Sequence, residues 1–464
     1  MDIQPKGAQL DVLALEAKGH TVVLGTAGSG KTTMALMLAE RNANLKDSPK
    51  VLVLTFNRAL VAYMSAIKSF KHGVIVENFH HFCLGYLKSQ GKNVDNVVIK
   101  REQKEDIINK IVSKKHEQFP DESTFLRPVN TFVEEVEFLE SFGVSTLEQY
   151  VSMERIGRAG TYISRENRHW FYEVYEEYKI KRAEAGYLYD WDDLAIEVYE
   201  TLMADESPRR YKHIIVDEGQ DFSPMMLRAL VKAIPPDGSF TFFGDIAQQI
   251  YGNALSWKAS GIETKKIWKF EYNYRNPKEI ALFAQDVLKH PMWEKKGDEY
   301  VIANLEVPAA GIKPALVKYH NTDEEIDEIV KLLKNRGGRN IIVVQTRQQV
   351  TLFMNALSHN YINASEIKKD KNSSINDGVY VTTFYSVKGL EFDTVFIPFL
   401  NETDYPDPQL LEKNEDKEKI YQRALKLFYV AVTRAKHSLV MSYSSELTNL
   451  FPKDSKNFIW QEKK

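Results

Sequence analysis

A glycine-rich loop between an apolar strand and a helix restricts the fold of this chain more than any other segment. GTAGSGKTT (25–33) fits the pattern G-x-x-x-x-G-K-[ST], follows the apolar run HTVVLG (20–25) and opens KTTMALMLAE. A strand, such a loop and a helix in that order present backbone N–H groups to a phosphate, and the helix N-terminus adds a favourable dipole. The alternative, a glycine-rich turn that binds nothing, is disfavoured by this context.

The loop predicts contacts to a nucleoside triphosphate and its metal ion. Lys31 is placed to reach the β- and γ-phosphates, and the Thr32 hydroxyl to hold Mg²⁺. The loop itself should supply the remaining contacts, from Gly25, Ala27, Gly28, Ser29, Gly30 and Thr33. We therefore expect a phosphate site at the start of this helix.

A second motif, IIVDEGQD (214–221), places adjacent carboxylates at the end of another apolar strand. Hydrolysis of a triphosphate needs one group to hold the metal ion and another to orient the attacking water. Asp217 suits the first role and Glu218 the second. Alone, such a strand end is more often a solvated turn, but here it follows a phosphate loop on the same predicted sheet.

Short strands alternate with amphipathic helices at both ends of the chain, which is typical of parallel sheets covered on both faces. Residues 1–94 and 188–264 are predicted to form one such domain. Residues 95–187 have helical periods only and predict an all-helical insertion. Residues 265–464, starting with the strand KKIWKF (265–270), predict a second α/β domain. The predicted fold class is therefore α/β, with two parallel-sheet domains and a helical insertion in the first.

Composition limits where nucleic acid could bind. The chain has 61 Lys and Arg against 64 Asp and Glu, so the net charge of −3 gives no general attraction to nucleic acid. Binding would need a local basic and aromatic track. The single cysteine, Cys83, excludes internal disulfides and suits a reducing cytoplasm. The apolar runs fall well short of the roughly 20 residues that span a bilayer, so we expect a cytoplasmic protein without membrane contact.

Seven further segments appear in the order of the motifs of the UvrD/Rep/PcrA branch of superfamily 1 helicases, and the chain resembles that family along nearly its whole length. The segments are TFNRAL (55–60), NFHHFC (78–83), YDWDDL (189–194), GDIAQQIYG (244–252), YNYRN (272–276), TFYSVKGLEFD (383–393) and LFYVAVTRAK (427–436). The resemblance implies two RecA-like motor domains that use ATP and Mg²⁺. It also implies 3′-to-5′ movement on single-stranded DNA and unwinding of duplexes and junctions.

The resemblance assigns residues to the adenine. Gln9, sixteen residues before Gly25, would read the base, and Tyr274 would stack on it. Gln9 could also be a helix-surface glutamine. The family often has arginine where this chain has Thr33, so the base could be held on one face only.

The resemblance also assigns residues to the γ-phosphate. Gln248 would sense it, and Arg275 and Arg434 would reach it from the second α/β domain as arginine fingers. Positive charge there stabilises the transition state of phosphoryl transfer. Glu391 and the backbone near Gly389 would lie against the nucleotide across the cleft. The alternative for the two arginines is a surface salt bridge.

Non-specific strand binding needs backbone contacts and flat rings on which bases stack. Phe56 and Tyr251 match family positions for such rings. Trp257 does not match, because the family's tryptophan position is occupied by Asn253, and a buried core tryptophan is its competing interpretation.

Three polar or mixed side chains complete the predicted strand contacts. His80 and Asn57 could bond to the strand, and Tyr385 replaces the family's histidine before the KGLEFD segment, where it could stack or bond to phosphate.

The family's large second insertion is predicted to be missing. About thirty residues separate the strands NIIVVQTR and VYVTTF, and residues 401–419 are predicted to form an exposed loop. Such a minimal motor could move on DNA yet unwind poorly alone. A second hypothesis is a DNA-activated ATPase subunit that regulates or feeds a partner nuclease, as in anti-phage systems of the Gabija kind, which this pattern resembles.

Overall fold

The computed structural model describes residues 4–47, 49–55, 61, 64, 73–155, 161–249, 257–293, 301–306, 310–367, 376–413 and 416–463. Within them lie two parallel sheets, each covered by helices, and a separate group of helices. The predicted fold class is confirmed.

The first sheet has six parallel strands in the order β3-β2-β4-β5-β1-β6. They are β1 (Gly19–Gly25), β2 (Val51–Thr55), β3 (Val74–Asn78), β4 (His213–Val216), β5 (Ser239–Gly244) and β6 (Ile267–Phe270). The central strands β2, β4 and β5 are buried along their whole length, as Val-, Ile- and Phe-rich strands between two helical layers should be. The helices of this domain are α1 (Ala8–Ala14), α2 (Lys31–Ala43), α3 (Phe79–Ser89), α8 (Leu194–Ala204) and α9 (Pro224–Lys232).

Four helices between β3 and β4 form the insertion. They are α4 (Arg101–Gln118), α5 (Val129–Phe142), α6 (Leu147–Ser152) and α7 (Arg168–Glu184). They enclose a core of their own, in which the rings of Phe132 and Phe171 stack with centroids 4.6 Å apart. Because its apolar faces are satisfied internally, the insertion is a distinct helical unit beside the first sheet.

The second sheet has seven parallel strands in the order β13-β7-β12-β11-β8-β10-β9. They are β7 (Ala315–Lys318), β8 (Arg339–Val344), β9 (Ala364–Glu366), β10 (Gly378–Thr383), β11 (Phe392–Ile397), β12 (Ala435–Tyr443) and β13 (Ile459–Glu462). The helices of this domain are α10 (Lys278–Leu288), α11 (Thr322–Leu333), α12 (Arg347–His359), α13 (Pro408–Lys413) and α14 (Lys417–Val432).

Two sequence-based expectations are wrong. The segment KKIWKF was expected in the second sheet, but it contains β6, which pairs with β1 at the edge of the first. The predicted boundary at residue 264 therefore cuts off the last strand of the first sheet. Residues 401–419 are not simply an exposed loop, because α13 and the start of α14 lie there. Tyr405 is buried in the second core and donates its hydroxyl to the Ala424 carbonyl oxygen.

The structure describes part of the connection between β8 and β10 in the second domain. Between β8 and β10 these residues form only α12 and the three-residue strand β9. Among the described helices, none is long and apolar enough to cross a membrane.

Helix α14 connects two distant parts of the molecule. Near its first turn, Lys419 Nζ lies 3.3 Å from Glu134 Oε2 of the insertion helix α5. Asp416 caps the helix by accepting a hydrogen bond from the Lys419 backbone N–H. Arg434 follows the last residue of the helix by two positions. A largely buried helix thus runs from the insertion to the predicted nucleotide site.

Candidate active site

The candidate site begins at the carboxyl edge of the first sheet. The strands β1, β4 and β5 run parallel with β5 in the middle, so the residues that follow them gather at one edge. After β1 the chain turns through the phosphate loop, where Gly28 has a φ of +74°. A Cβ atom on Gly28 would lie 2.4 Å from Asn273 Oδ1. Only glycine fits there, because the loop packs tightly against the segment that follows β6.

Lys31 opens α2 and is buried. Its Nζ donates to the Gly25 and Thr26 carbonyl oxygens at 2.9 and 2.7 Å and lies 3.8 Å from Asp245 Oδ2. Burial lowers the pKa of Lys31, while Asp245 and the carboxylates after β4 oppose that shift. The Lys31 ammonium group thus bonds to carbonyl oxygens of the same loop that is predicted to bind phosphate.

The predicted metal ligands lie together. The Thr32 hydroxyl donates to Asp217 Oδ2 at 2.6 Å, and Asp217 is fully buried. Its other oxygen, Oδ1, has no hydrogen-bond partner among the described residues. Burial, together with the neighbouring Glu218, raises the pKa of Asp217 to about 6. A buried carboxylate with an unused oxygen beside a hydroxyl fits Mg²⁺, which prefers oxygen ligands.

Glu218 stands in a different environment from its neighbour. Its φ of +53° lies in the left-handed region, an uncommon and strained conformation for a residue other than glycine that is often found at active sites. Burial would raise its pKa, but Lys388, Lys31 and Arg434 outweigh burial and hold it below the usual value. The pKa values of these two adjacent carboxyl groups are therefore shifted in opposite directions, which suits two different roles.

Arg434 reaches the first domain from the second. It is 2% exposed, and its Nη2 donates to Gln248 Oε1 at 2.7 Å. Gln248 in turn donates to Asp245 Oδ2 at 2.7 Å, and Asp245 contacts Lys31. A continuous chain of polar contacts therefore runs from the second domain to the phosphate loop.

Lys388, in the loop between β10 and β11, makes a second link across the cleft. Its Nζ donates to Asp221 Oδ1 and to the Gln248 carbonyl oxygen, each at 2.7 Å, and lies 3.9 Å from Glu218 Oε2. Lys388 lies in the segment TFYSVKGLEFD, whose pattern alone predicted no role for this lysine. A lysine that is 4% exposed, with two acidic partners from the other domain, is a component of the site.

Arg275 and Glu391 form an ion pair at the mouth of the cleft. Arg275 Nη2 lies 2.6 Å from Glu391 Oε1, and Lys436 Nζ lies 2.5 Å from the other carboxylate oxygen. Burial opposes ionisation, yet Arg275 and Lys436 lower the pKa of Glu391 to about 2. Glu391 and Arg434 come together because they immediately precede the paired residues Phe392 and Ala435 of neighbouring strands. The Arg275 guanidinium thus has a carboxylate partner in this structure.

The predicted adenine contacts divide into buried and exposed groups. Gln9 is buried, with its Nε2 donating to the Ser29 carbonyl oxygen at 2.9 Å and its Oε1 accepting from the Lys6 N–H. Tyr274 is 43% exposed, and its backbone N–H donates to the Gly28 carbonyl oxygen at 2.9 Å. Gln9 is therefore not a surface glutamine, and the Tyr274 ring is open to a stacking partner.

The remaining predicted positions differ in their burial and backbone conformation. Ala27 and Ser29 are buried, Thr33 is half-buried on the first turn of α2, and Gly389 has a φ of +81° directly after Lys388. The described contacts bring the phosphate loop, the residues after β4 and β5, and Arg434 of the second domain together.

Comparison with known proteins identifies the family to which this chain belongs. The model of the UvrD/REP helicase N-terminal domain matches residues 6–269, which is more than half of the chain. The chain belongs to the UvrD/REP helicase family. A second model, of the UvrD-like helicase C-terminal domain, matches residues 354–446.

Relatives of this UvrD/REP chain carry helicase names. It is 26% identical to a probable DNA helicase of Mycoplasma pneumoniae, with 94% of this chain and 83% of that protein covered. It is 25% identical to a Bacillus subtilis protein named as an ATP-dependent DNA helicase, YjcD, with 69% of this chain and 42% of YjcD covered. The chain thus spans less than half of the length of YjcD. Membership of this family makes the protein an ATP-hydrolysing DNA helicase.

Only some of the residues predicted to contact single-stranded DNA lie within the described part of this UvrD/REP chain. Phe56, Asn57 and Tyr251 lie outside the described residues. Trp257 is partly buried and meets Phe242 edge-on at 5.0 Å between ring centroids. That packing favours the core interpretation of Trp257.

The other two predicted strand contacts lie on different domains. Tyr385 is half-buried against the core of the second sheet. His80 is half-buried at the start of α3, where the Trp191 ring meets it edge-on at 5.0 Å between centroids. Trp191 is 38% exposed and was missed by our sequence analysis. It stands between two aspartates of an acidic box, and an exposed tryptophan in such a polar segment is the signal that could have identified it.

Proposed function

We propose that this chain is a DNA-stimulated ATPase that moves 3′ to 5′ along single-stranded DNA and separates duplexes poorly by itself. The contact of Arg434 with Gln248 supports this most directly, because it completes a polar chain between the two domains. A site assembled from both domains is active only when the cleft is closed, so hydrolysis and domain movement are coupled.

Within the closed cleft, each residue has a chemical task. Glu218, kept ionised by its cationic neighbours, orients the attacking water. When a triphosphate binds, Lys31 leaves the loop carbonyl oxygens and contacts the β- and γ-phosphates. Arg434 and Arg275 stabilise charge on the γ-phosphate, Arg275 after exchanging its Glu391 partner for phosphate. Thr32 and Asp217 hold Mg²⁺, which neutralises charge on the phosphate oxygens when it is bound.

The DNA strand would bind along exposed aromatic rings and polar groups near the ends of β2 and β3. Trp191 beside His80 offers a ring for base stacking, and Phe56 and Tyr251 are predicted to add two more. Such stacking tolerates any base, which suits a motor that must pass over every sequence. The partner-nuclease hypothesis stays a prediction, since no contact among the described residues bears on it.

Weak unwinding follows from the short connection between β8 and β10. Separating each base-pair step of DNA costs on average about 1.4 kcal/mol. A motor that cannot hold the duplex slips back while that free energy is being supplied. In the described residues, the second domain offers only α12 and β9 where a duplex-holding domain would be inserted.

Single-turnover unwinding of tailed duplexes, with a protein trap, tests the proposal. We expect DNA-stimulated ATP hydrolysis and displacement of a bound block from the strand, but little separation of a duplex of several tens of base pairs. A 3′ tail should support more separation than a 5′ tail. Glu218→Gln, which should bind ATP without hydrolysing it, is the matched control. Efficient unwinding by single motors, or a preference for 5′ tails, would contradict the proposal.

A further inference from the structure

The turn that carries Trp191 is built by the aspartates around it. Asp190 Oδ1 accepts hydrogen bonds from the backbone N–H groups of Asp192 and Asp193, at 2.9 and 3.0 Å. Asp193 Oδ1 accepts one from the Asp190 N–H at 2.8 Å. These bonds fix the backbone on both sides of Trp191, whose ring points outward against His80.

Lys104, from the insertion helix α4, is buried beneath this turn. Its Nζ lies 2.8 Å from Asp190 Oδ2, 2.8 Å from Glu140 Oε2 on α5 and 3.5 Å from Asp192 Oδ2. The side chain is 3% exposed. The ammonium group therefore occupies the centre of three carboxylates that could otherwise surround a metal ion.

A third insertion helix, α7, converges on the same aspartate. The Tyr178 hydroxyl donates to Asp190 Oδ2 at 2.9 Å. Arg182 lies 3.5 Å from Asp190 Oδ2 and 2.5 Å from Asp193 Oδ2. Two helices of the insertion, α4 and α7, thus contact the turn that presents Trp191, and α5 contacts it indirectly through Lys104.

Lys104 and Asp190 stay charged at this junction, whereas burial and the neighbouring Asp190 raise the pKa of Glu140. Burial would neutralise Lys104, but Asp190 and Glu140 outweigh burial and hold its pKa well above the ordinary value. Burial would raise the pKa of Asp190, but Lys104 and Arg182 lower it below its usual range. A buried charged pair holds its geometry closely, because moving either ion away leaves the other without a partner in a medium of low polarity.

We infer that Lys104 is a positioning residue for strand binding, which acts by fixing the orientation of Trp191. This inference rests on the proposed function, because it takes Trp191 to be part of the strand track. It gives the insertion a role without requiring that its helices touch DNA.

The same helix offers a matched control. Lys115 is also largely buried on α4, and its Nζ lies 2.8 Å from Glu173 Oε2 and 4.0 Å from Glu177 Oε2, both on α7. It joins insertion helices to each other and, within the described part of the chain, forms no ion pair or hydrogen bond with the turn. Lys115→Met therefore disturbs the insertion without disturbing Trp191.

The test is a double-mutant cycle on affinity for a fluorescently labelled oligo-dT, measured by anisotropy. Trp191→Ala should weaken binding about 5- to 150-fold, the range for loss of one stacked base. Lys104→Met should lose a comparable factor, and adding it to Trp191→Ala should weaken binding no further. Lys115→Met should bind like the wild type. ATP hydrolysis without DNA should be unchanged in all of these variants.

Thermal unfolding checks that each variant is folded. Should Lys104→Met fail to fold, the double variant Lys104→Met with Glu140→Gln, which replaces both members of the Lys104–Glu140 contact, carries the same comparison. The inference is overturned by wild-type affinity in a folded Lys104 variant, by losses that multiply in the double mutant, or by an equal loss in Lys115→Met. It is also overturned if Trp191→Ala binds normally. Failure of the wild-type chain to bind oligo-dT would instead overturn the proposed function.

Discussion

The contact of Lys388 with Asp221 gives a direct measure of how tightly cleft closure and hydrolysis are linked. Lys388→Met keeps much of the side-chain volume but leaves Asp221, 6% exposed, facing the cleft without its cation. Breaking a buried ion pair in this way costs about 3–5 kcal/mol. When the cleft is open, water can solvate Asp221. Most of that free-energy cost therefore arises when the cleft closes. At about 1.4 kcal/mol per tenfold change, the closed population should fall roughly 100- to 4,000-fold.

The assay is ATP turnover at saturating ATP and single-stranded DNA, where we expect a drop of that order. Lys388→Met with Asp221→Asn removes both charges and should recover part of the loss, because the remaining buried group is neutral. The melting temperature of the ligand-free chain should change much less than turnover. Turnover of Lys388→Met within threefold of the wild type would refute the reasoning, because the pair would then not contribute to closure.

Two further predictions concern the active site. Arg434→Ala should bind a fluorescent ATP analogue nearly as well as the wild type while hydrolysis falls about a thousandfold, as for other arginine fingers; a loss of only a few-fold would contradict the cross-domain role. Because burial and Glu218 raise the pKa of Asp217 to about 6, a proton should compete with Mg²⁺ as the pH falls through that value. Calorimetric Mg²⁺ titrations with a bound nucleotide should show weaker binding below pH 6 than above it, and equal affinities would argue against Asp217 as a ligand.

The nucleotide site was predictable because its parts lie in short segments whose local order determines their chemistry. The phosphate loop follows β1, and Asp217 and Glu218 follow β4, so the parallel sheet brings them to one edge. The grouping of Gln248, Arg275 and Arg434 came from family resemblance instead. Local pattern alone does not reveal which loops of two sheets will meet.

Other features were missed for physical reasons. Strand β6 has the same local pattern whichever sheet it joins, and its place beside β1 depends on pairing over a long sequence separation. Residues 401–419 are charged enough to suggest an exposed loop, but one ring, Tyr405, fills a gap in the core. Lys388 looks like a surface lysine in the sequence, and only its acidic partners in the other domain explain its burial.

Helix α14 has a mechanical consequence. Its sixteen residues extend about 24 Å at 1.5 Å per residue, and burial along much of that length makes it stiff. One end lies against the insertion at Glu134, and the other leads to Arg434, which contacts Gln248 of the first domain. Under the proposed function, a shift of Arg434 after phosphate loss would be transmitted along this helix to Lys419 and would displace the insertion. Hydrolysis would then act on the insertion that carries Lys104, at the opposite end of the helix from the bond that is broken.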